Sequence, residues 1–352
     1  MLARERVIAA IEHRTPDRVP VDYWALRPVT RRLQQQFGVA DYEALLTALG
    51  VDIRDVRDRR TYVGPEHHYL PDGRECDAWG VPLNPGGTYA ASVTHTVLST
   101  ATTVAEIEAH HPFPDPDWWD YSLVHDACLA GGDHAVMGGA WSPFFCMAMY
   151  MMGMEELLTA MALYPAVAEA LLTRIVDFYM ESCRRQFEAA RGHMHIFFMG
   201  DDYGGQTGPL ISVEMFRNFI KPHLARLFAQ AKSYGLKVML HSCGSVHDFL
   251  PDLIEIGMDA LDPVQVRARD MAAERLAREF GNDICFHGSI DTQQTLPFGT
   301  VADVKAQVRS RLETFPHGGF ICGPSQEFMD DISTDNILAV YEAAGAYTPP
   351  IE

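Results

Sequence analysis

Apolar and polar positions in the second half of the chain follow one repeating grammar. Short β-rich runs end in polar or glycine-bearing residues, and each leads into an amphipathic stretch with helical spacing. The runs are HIFFMGDD (195–202), KVMLHSCG (237–244), ALDPVQ (260–265), ICFHGSID (284–291) and GFICGPS (319–325). The clearest helix is predicted from Val213 to Tyr234, where Met215, Phe216, Phe219, Ile220, Leu224, Leu227 and Phe228 form an apolar stripe. Gly235 is a natural stop, and Pro222 should bend the helix or sit near its solvent side. Ser245 with Gly257, Asp270 with Gly281, and Thr300 with Asp303 punctuate the helices that follow.

The first half adds candidate strands at RVPVDYW (18–24), VDIRDV (51–56) and HAVMGGAW (134–141). Strands separated by single helices predict parallel pairing, and successive crossovers of one hand either close a barrel or build an open sheet. A total of about eight is what a closed (β/α)8 barrel needs. Residues 60–133 break the rhythm. They hold GPEHHYLPDG, NPGGTYA and HHPFPDPDWWDYS, which predicts a long excursion over the barrel mouth with a small hairpin. With no internal repeat, low-complexity tract or linker, residues 1–352 read as a single domain.

Composition narrows the function. A formal net charge of −19 with no long basic stretch argues against nucleic acid as partner. The uncharged stretch 135–154 has the length of a membrane span but contains Gly138, Gly139, Pro143 and Gly153, so a buried strand, a turn and a Met-rich helix are expected there, with no membrane partner. The charged first residues fit an amphipathic helix rather than a secretory leader, and a cytoplasmic protein is expected. Seven scattered cysteines predict reduced thiols rather than a disulfide framework.

The candidate chemistry centres on HSCG (241–244). At a strand's exit, residues i and i+2 leave the same face, so His241 and Cys243 point the same way. Cys322, at the end of FICGPS, stands at another such exit. Two thiolates and one imidazole with an open fourth position make a sensible catalytic zinc site, and a lone strand cysteine is otherwise a small buried hydrophobe. HMH (193–195) has the same spacing but lies where its strand begins, on the face associated with stability. In CFH (285–287), Cys285 is expected in the core, and His287 could reach the mouth to bind substrate or to hydrogen-bond behind the ligands. The histidine pairs 67–68 and 110–111 are expected in solvated loops. Asp201 and Asp202 end a strand, so one of them is a candidate fourth ligand or general acid/base, against a loop-capping role; Asp291 has the same ambiguity. Asp202 is the catalytic candidate. Trp141, Met151, Gln206 and His287 are the substrate-binding candidates, with most of the Met series from 147 to 154 expected to pack the core.

The stretch from Gly200 to Gln265, which includes GLKVMLHSCG, resembles the uroporphyrinogen decarboxylase superfamily. The resemblance continues through FHGSIDTQQTLPFGTVADV and GGFICGPSQEF, and RVIAAIEHRTPDRVPV is similar to the family's opening helix and first strand. It implies a TIM-type barrel. The superfamily holds true decarboxylases and a branch of zinc- and corrinoid-dependent methyltransferases. The latter carry a His-x-Cys and a distant Cys as zinc ligands, which fall here on His241, Cys243 and Cys322. The decarboxylase branch has an Arg-Gln-Ala-Gly-Arg stretch, absent from WALRPVTRRLQQQFG (24–38). The resemblance therefore implies a methyltransferase acting between a small substrate and a corrinoid (cobalamin) carried by a partner protein. Tyr23, Trp24 and Trp141 favour a methylated aromatic or quaternary ammonium donor. A metal-independent carboxy-lyase with Asp22 or Asp202 near the reacting pyrroles, and a non-catalytic zinc-binding barrel, remain the alternatives. A homodimer is one assembly left open.

Overall fold

The computed structural model describes residues 1–349 apart from 58, 67–68, 71–72, 84–95, 111–112, 140 and 142. Its centre is a seven-stranded, all-parallel sheet whose strands follow one another in chain order: β1 (Ile53–Asp55), β2 (Ala135–Gly138), β3 (Ile196–Gly200), β4 (Lys237–His241), β5 (Ala260–Val264), β6 (Cys285–Ile290) and β7 (Phe320–Pro324). Helical crossovers between neighbouring parallel strands, all of one hand, curl such a sheet.

The expected eighth strand at 18–24 is reduced to a bridged segment. Val21 makes a single parallel bridge to Cys322. Its backbone neighbours exchange bonds with β7, Asp22 N–H to the Cys322 carbonyl and Cys322 N–H to the Pro20 carbonyl, while the Val21 carbonyl accepts from Asp52 just before β1. The segment has a physical reason to stay irregular: Pro20 has no N–H to give a ladder. The seven strands thus form an incompletely closed barrel, seamed rather than completed by residues 20–22.

Strand alternation sorts the side chains into two layers. Ile53, Ala135, Met137, Ile196, Phe198, Met239, Ala260, Cys285 and Ile321 fill the interior, and Val7, Ala10 and Ile11 of the helix Ala3–Ile11 plug it from the end where the strands begin. Trp24 and Trp141 pack against this interior cluster. Val136, Phe197, Met199, Val238, Leu240, Leu261, Phe286, Phe320 and Cys322 point outward into the helical layer.

The helix expected at 213–234 runs Val213–Met215, a π-helical turn Phe216–Ile220, then Lys221–Ser233. The widened turn sits immediately before Pro222, whose missing N–H and bulky ring cannot be accommodated by regular α-helical bonding. Thr300 and Asp303 form the reciprocal cap the sequence predicts. Within 60–133, Thr61–Tyr62 pairs antiparallel with Trp119–Asp120, and helices span Val104–Ala109 and Leu123–Ala130. NPGGTYA (84–90), His67, His68 and His111 lie outside the described residues. The stretch 135–154 resolves into β2 and the buried helix Phe144–Met152. No described helix is long and apolar enough to cross a membrane.

Candidate metal centre

The register of the central strands places Gly200, His241 and Asp262 on one rung. His241 ends β4 pointing inward, and two residues later Cys243 follows it to the same side. Its thiol lies 3.4 Å from His241 Nε2. Asp202, just past β3, brings Oδ1 to 3.8 Å from the same nitrogen and accepts the Cys243 backbone N–H at 2.8 Å. Asp202 Oδ, His241 Nε2 and Cys243 Sγ all lie within 4.8 Å of one another. Gly244 follows at φ +77°, and a Cβ there would come within 2.5 Å of the Gly204 backbone, so only glycine lets the two strand-exit loops close around this point.

Asp262 stands behind the imidazole. His241 Nδ1–H donates to its Oδ2 at 2.6 Å, and His287 Nδ1 lies against its Oδ1. On its other side His287 Nε2 meets Asp22 Oδ2 at 3.1 Å, and that oxygen also accepts the Trp24 indole N–H at 3.1 Å. Trp24 in turn stacks on His241, 5.8 Å between centroids and 6° from parallel. The five groups form a closed clamp: Asp262 fixes two imidazoles, and the second, through Asp22, holds an indole over the first. Burial pulls the His241 and His287 imidazoles down, but Asp262, with Cys243 and Asp22 respectively, outweighs it and pushes both up to about 10. The two imidazoles hold the Asp262 carboxyl well below the usual carboxylate range, against burial.

Trp141 closes the opposite side, 5.2 Å from His241. Its ring lies over Gly200, where an added Cβ would come within 2.4 Å of the indole. Two cavities of about 260 Å³ meet at Trp141. One is lined by Asp22, Trp24, Tyr42, Asp55, Arg57 and Glu327, the other by Arg60, Trp79, Trp119, Met147, Phe178 and Tyr179.

Cys322 does not join the predicted set. Along β7 its neighbour Ile321 faces the interior, so Cys322 faces the helices, fully buried in the outer cluster. Burial pushes its thiol up to about 12, so it stays protonated in its apolar setting. The chain reaches the site four residues later instead, where Gln326 Nε2 donates to Cys243 Sγ at 3.1 Å.

Met151 is likewise fully buried core, while Met147, one turn earlier, lines a cavity. Gln206 sits on the hairpin Gly204–Pro209 outside the cavities, 3.4 Å from Gln265, whose Oε1 accepts from Gly244 N–H. His287 is buried behind the ligands rather than presented to substrate. Asp201 caps the helix Phe144–Met152, accepting from Phe145 N–H, Cys146 N–H and the Tyr203 hydroxyl. Burial raises it to about 7. Asp291 accepts from Arg267 and the Gln293 backbone. His195 Nδ1 meets the Val136 N–H where the strands begin, away from the mouth.

The donor set fits a zinc-type divalent cation. One thiolate, one carboxylate and one imidazole offer soft and borderline ligands whose two negative charges neutralise M²⁺. The imidazole is oriented by a carboxylate on its far nitrogen, as metal-binding histidines are. Asp202 is 45% exposed, so one side of the group faces the mouth.

The match to known proteins covers most of the chain. The family described as uroporphyrinogen decarboxylase (URO-D) matches residues 77–347. A methylated-thiol–coenzyme M methyltransferase from Methanosarcina mazei is 30% identical over 166 residues, which is 47% of this chain and 41% of that protein. A uroporphyrinogen decarboxylase from Mycobacterium marinum is 25% identical over 258 residues, 69% of each. A solved methyltransferase structure from Methanosarcina mazei superposes with a TM-score of 0.68 at 20% identity, covering 98% of both chains, which shows a shared fold. A sheet of parallel strands in chain order, with the candidate metal ligands at the strand exits and a family match spanning residues 77–347, places the chain in the uroporphyrinogen decarboxylase family.

Proposed function

We propose that this protein is a zinc-dependent methyltransferase, moving a methyl group between a small methylated substrate or thiol acceptor and the cobalt of a corrinoid carried by a separate protein. The observation that carries the proposal is the convergence of Asp202, His241 and Cys243 at an accessible strand-end position, with Asp262 fixing the imidazole from behind. The similarity to a methylated-thiol–coenzyme M methyltransferase supports it.

Zinc, if held by Asp202, His241 and Cys243, would supply a Lewis acid of low net charge, able to keep a bound thiolate nucleophilic or to polarise a bound heteroatom. The chain's own residues do the rest. Asp262 holds His241 through Nδ1, so the nitrogen left at the mouth for a cation to take, by displacing its proton, is Nε2. The Asp22–His287 contact holds Trp24 flat over the imidazole, and Trp24 and Trp141 together cover the His241 ring on two sides. The cavities are small beside the ~300–1,000 Å³ of pockets for drug-sized ligands, which suits a small substrate better than a tetrapyrrole. Their two guanidiniums are already engaged, Arg57 by Asp55 and Arg60 by Ser182, whereas a polycarboxylate porphyrinogen needs several convergent cationic donors.

The test is demethylation of methylcobalamin by thiols with zinc-loaded protein, followed through the cobalamin visible spectrum. The expected result is activity that falls on the order of 100-fold in Cys243→Ala and is largely retained in Cys322→Ala. Porphyrinogen decarboxylation by metal-free protein, without methyl transfer, would overturn the proposal.

A further inference from the structure

Three aromatic rings surround a cation beside the candidate metal ligands. The Arg57 guanidinium carbon lies 4.9 Å from the Trp24 ring centroid, 5.2 Å from Trp141 and 4.2 Å from Phe198. All three rings also contact His241, so the cage and the candidate ligand set share walls. The rings are held by features independent of Arg57. Trp24 is bonded to Asp22, Trp141 lies in the space left by Gly200, and Phe198 is an interior residue of β3. Arg57, by contrast, stands on the loop just beyond β1, paired with Asp55 two residues away.

The cavity wall also carries acid for an incoming cation to meet. Asp22, Asp55 and Glu327 line the same cavity as Arg57, Asp22 held by His287 and Asp55 by Arg57 itself, so displacing Arg57 releases the Asp55 carboxylate from that guanidinium. Aromatic faces with acidic neighbours bind methylated ammonium groups, which spread positive charge over apolar methyls and are attracted by the ring quadrupole without needing hydrogen bonds.

We infer that Trp24, Trp141 and Phe198 form a subsite for a small methylated onium ion, the substrate class of this enzyme, and that Arg57 is a resident plug which that cation displaces. The inference rests on the methyl-transfer reading for its meaning as substrate recognition, but the binding site itself does not. Displacement turns the Arg57 side chain outward to the rim, leaves Asp55 at the end of β1 on the cavity wall, and sets the onium methyls against the same rings that cover His241. A neutral molecule of the same shape gains only the apolar contact.

The experiment titrates choline, and its neutral carbon isostere 3,3-dimethyl-1-butanol, into the metal-containing protein by calorimetry, with tryptophan emission as a second readout. Wild type, Arg57→Ala, Arg57→Gln and Trp141→Leu are compared, and metal content is measured on each. The expected result is choline binding that tightens about tenfold when Arg57 is shortened to Ala, tightens in Arg57→Gln also, and weakens about tenfold in Trp141→Leu, with the isostere at least tenfold weaker throughout. Equal affinity for the two ligands, no binding of choline, or no gain on removing the Arg57 charge would overturn the inference. Failure here with metal and methylcobalamin activity intact removes the substrate class alone. Choline binding in a protein without methyl-transfer activity keeps the cage and removes the reading above it.

Discussion

At the scale of single residues, Asp262 matters as much as the candidate ligands it supports. Its carboxylate orients His241 and, through His287 and Asp22, the indole over it. Asp262→Asn keeps the shape but leaves an amide between two imidazoles, and the expected outcome is a metal affinity about 10–100-fold weaker, read by competition with a chromophoric chelator. Gly200 makes a different prediction. Gly200→Ala pushes the Trp141 ring off its seat, so a shifted tryptophan emission and an activity loss of roughly 10- to 100-fold are expected with the unfolding midpoint little changed. His241 and Cys243 were legible because their i, i+2 spacing at a strand's exit fixes a common face. Cys322 misled because a strand exit alone does not say which face a residue takes. In FICGPS, Phe320 and Cys322 alternate with Ile321 and Gly323, and only the pairing of β7 with its neighbours tells inward from outward. Asp262 lay inside a predicted strand without a partner visible nearby, since its two histidines are 21 and 25 positions away by numbering.

At the scale of elements, the strand and helix grammar carried because each crossover has its own punctuation and a buried face. The π-turn at Phe216–Ile220 was foreshadowed by Pro222, although periodicity cannot say whether a helix answers a proline by bending or by widening. The widened turn also aims Arg217 at Asp252 on the helix Leu250–Glu255, where Lys221 joins at 2.6 Å. Burial raises the Asp252 carboxyl, but Lys221 and Arg217 outweigh it and hold it below its ordinary value. Because the folded value lies below the unfolded one, the pair's stabilisation is present above the unfolded value near pH 4 and is lost as pH falls through the folded value. Asp252→Asn is expected to cost roughly 1.5–3 kcal/mol at neutral pH and to flatten the stability profile below pH 4, measured by urea unfolding across pH. A profile with unchanged slope there would place the acid sensitivity elsewhere.

At the scale of the whole molecule, the barrel brings loops from distant parts of the sequence to one mouth. Asp22, Arg57, Trp141, Asp202, Cys243 and Gln326 come from six different connections, and none of these juxtapositions can be read locally. The seam at residues 20–22 is part of this arrangement, since it delivers Asp22 and Trp24 between β7 and β1. An eighth strand was expected from the apolar run at 18–24, but Pro20 has no N–H to give, and the Val21 N–H donates to the Asp52 side chain at Oδ2 instead of to a ladder partner. The most direct test of the account is metal content by elemental analysis of protein purified without chelator, for wild type, Asp202→Ala, His241→Ala, Cys243→Ala and Cys322→Ala. The account predicts near-stoichiometric zinc in wild type and in Cys322→Ala, and its loss in the other three. Zinc absent from wild type, or lost in Cys322→Ala while retained in Asp202→Ala, would contradict it.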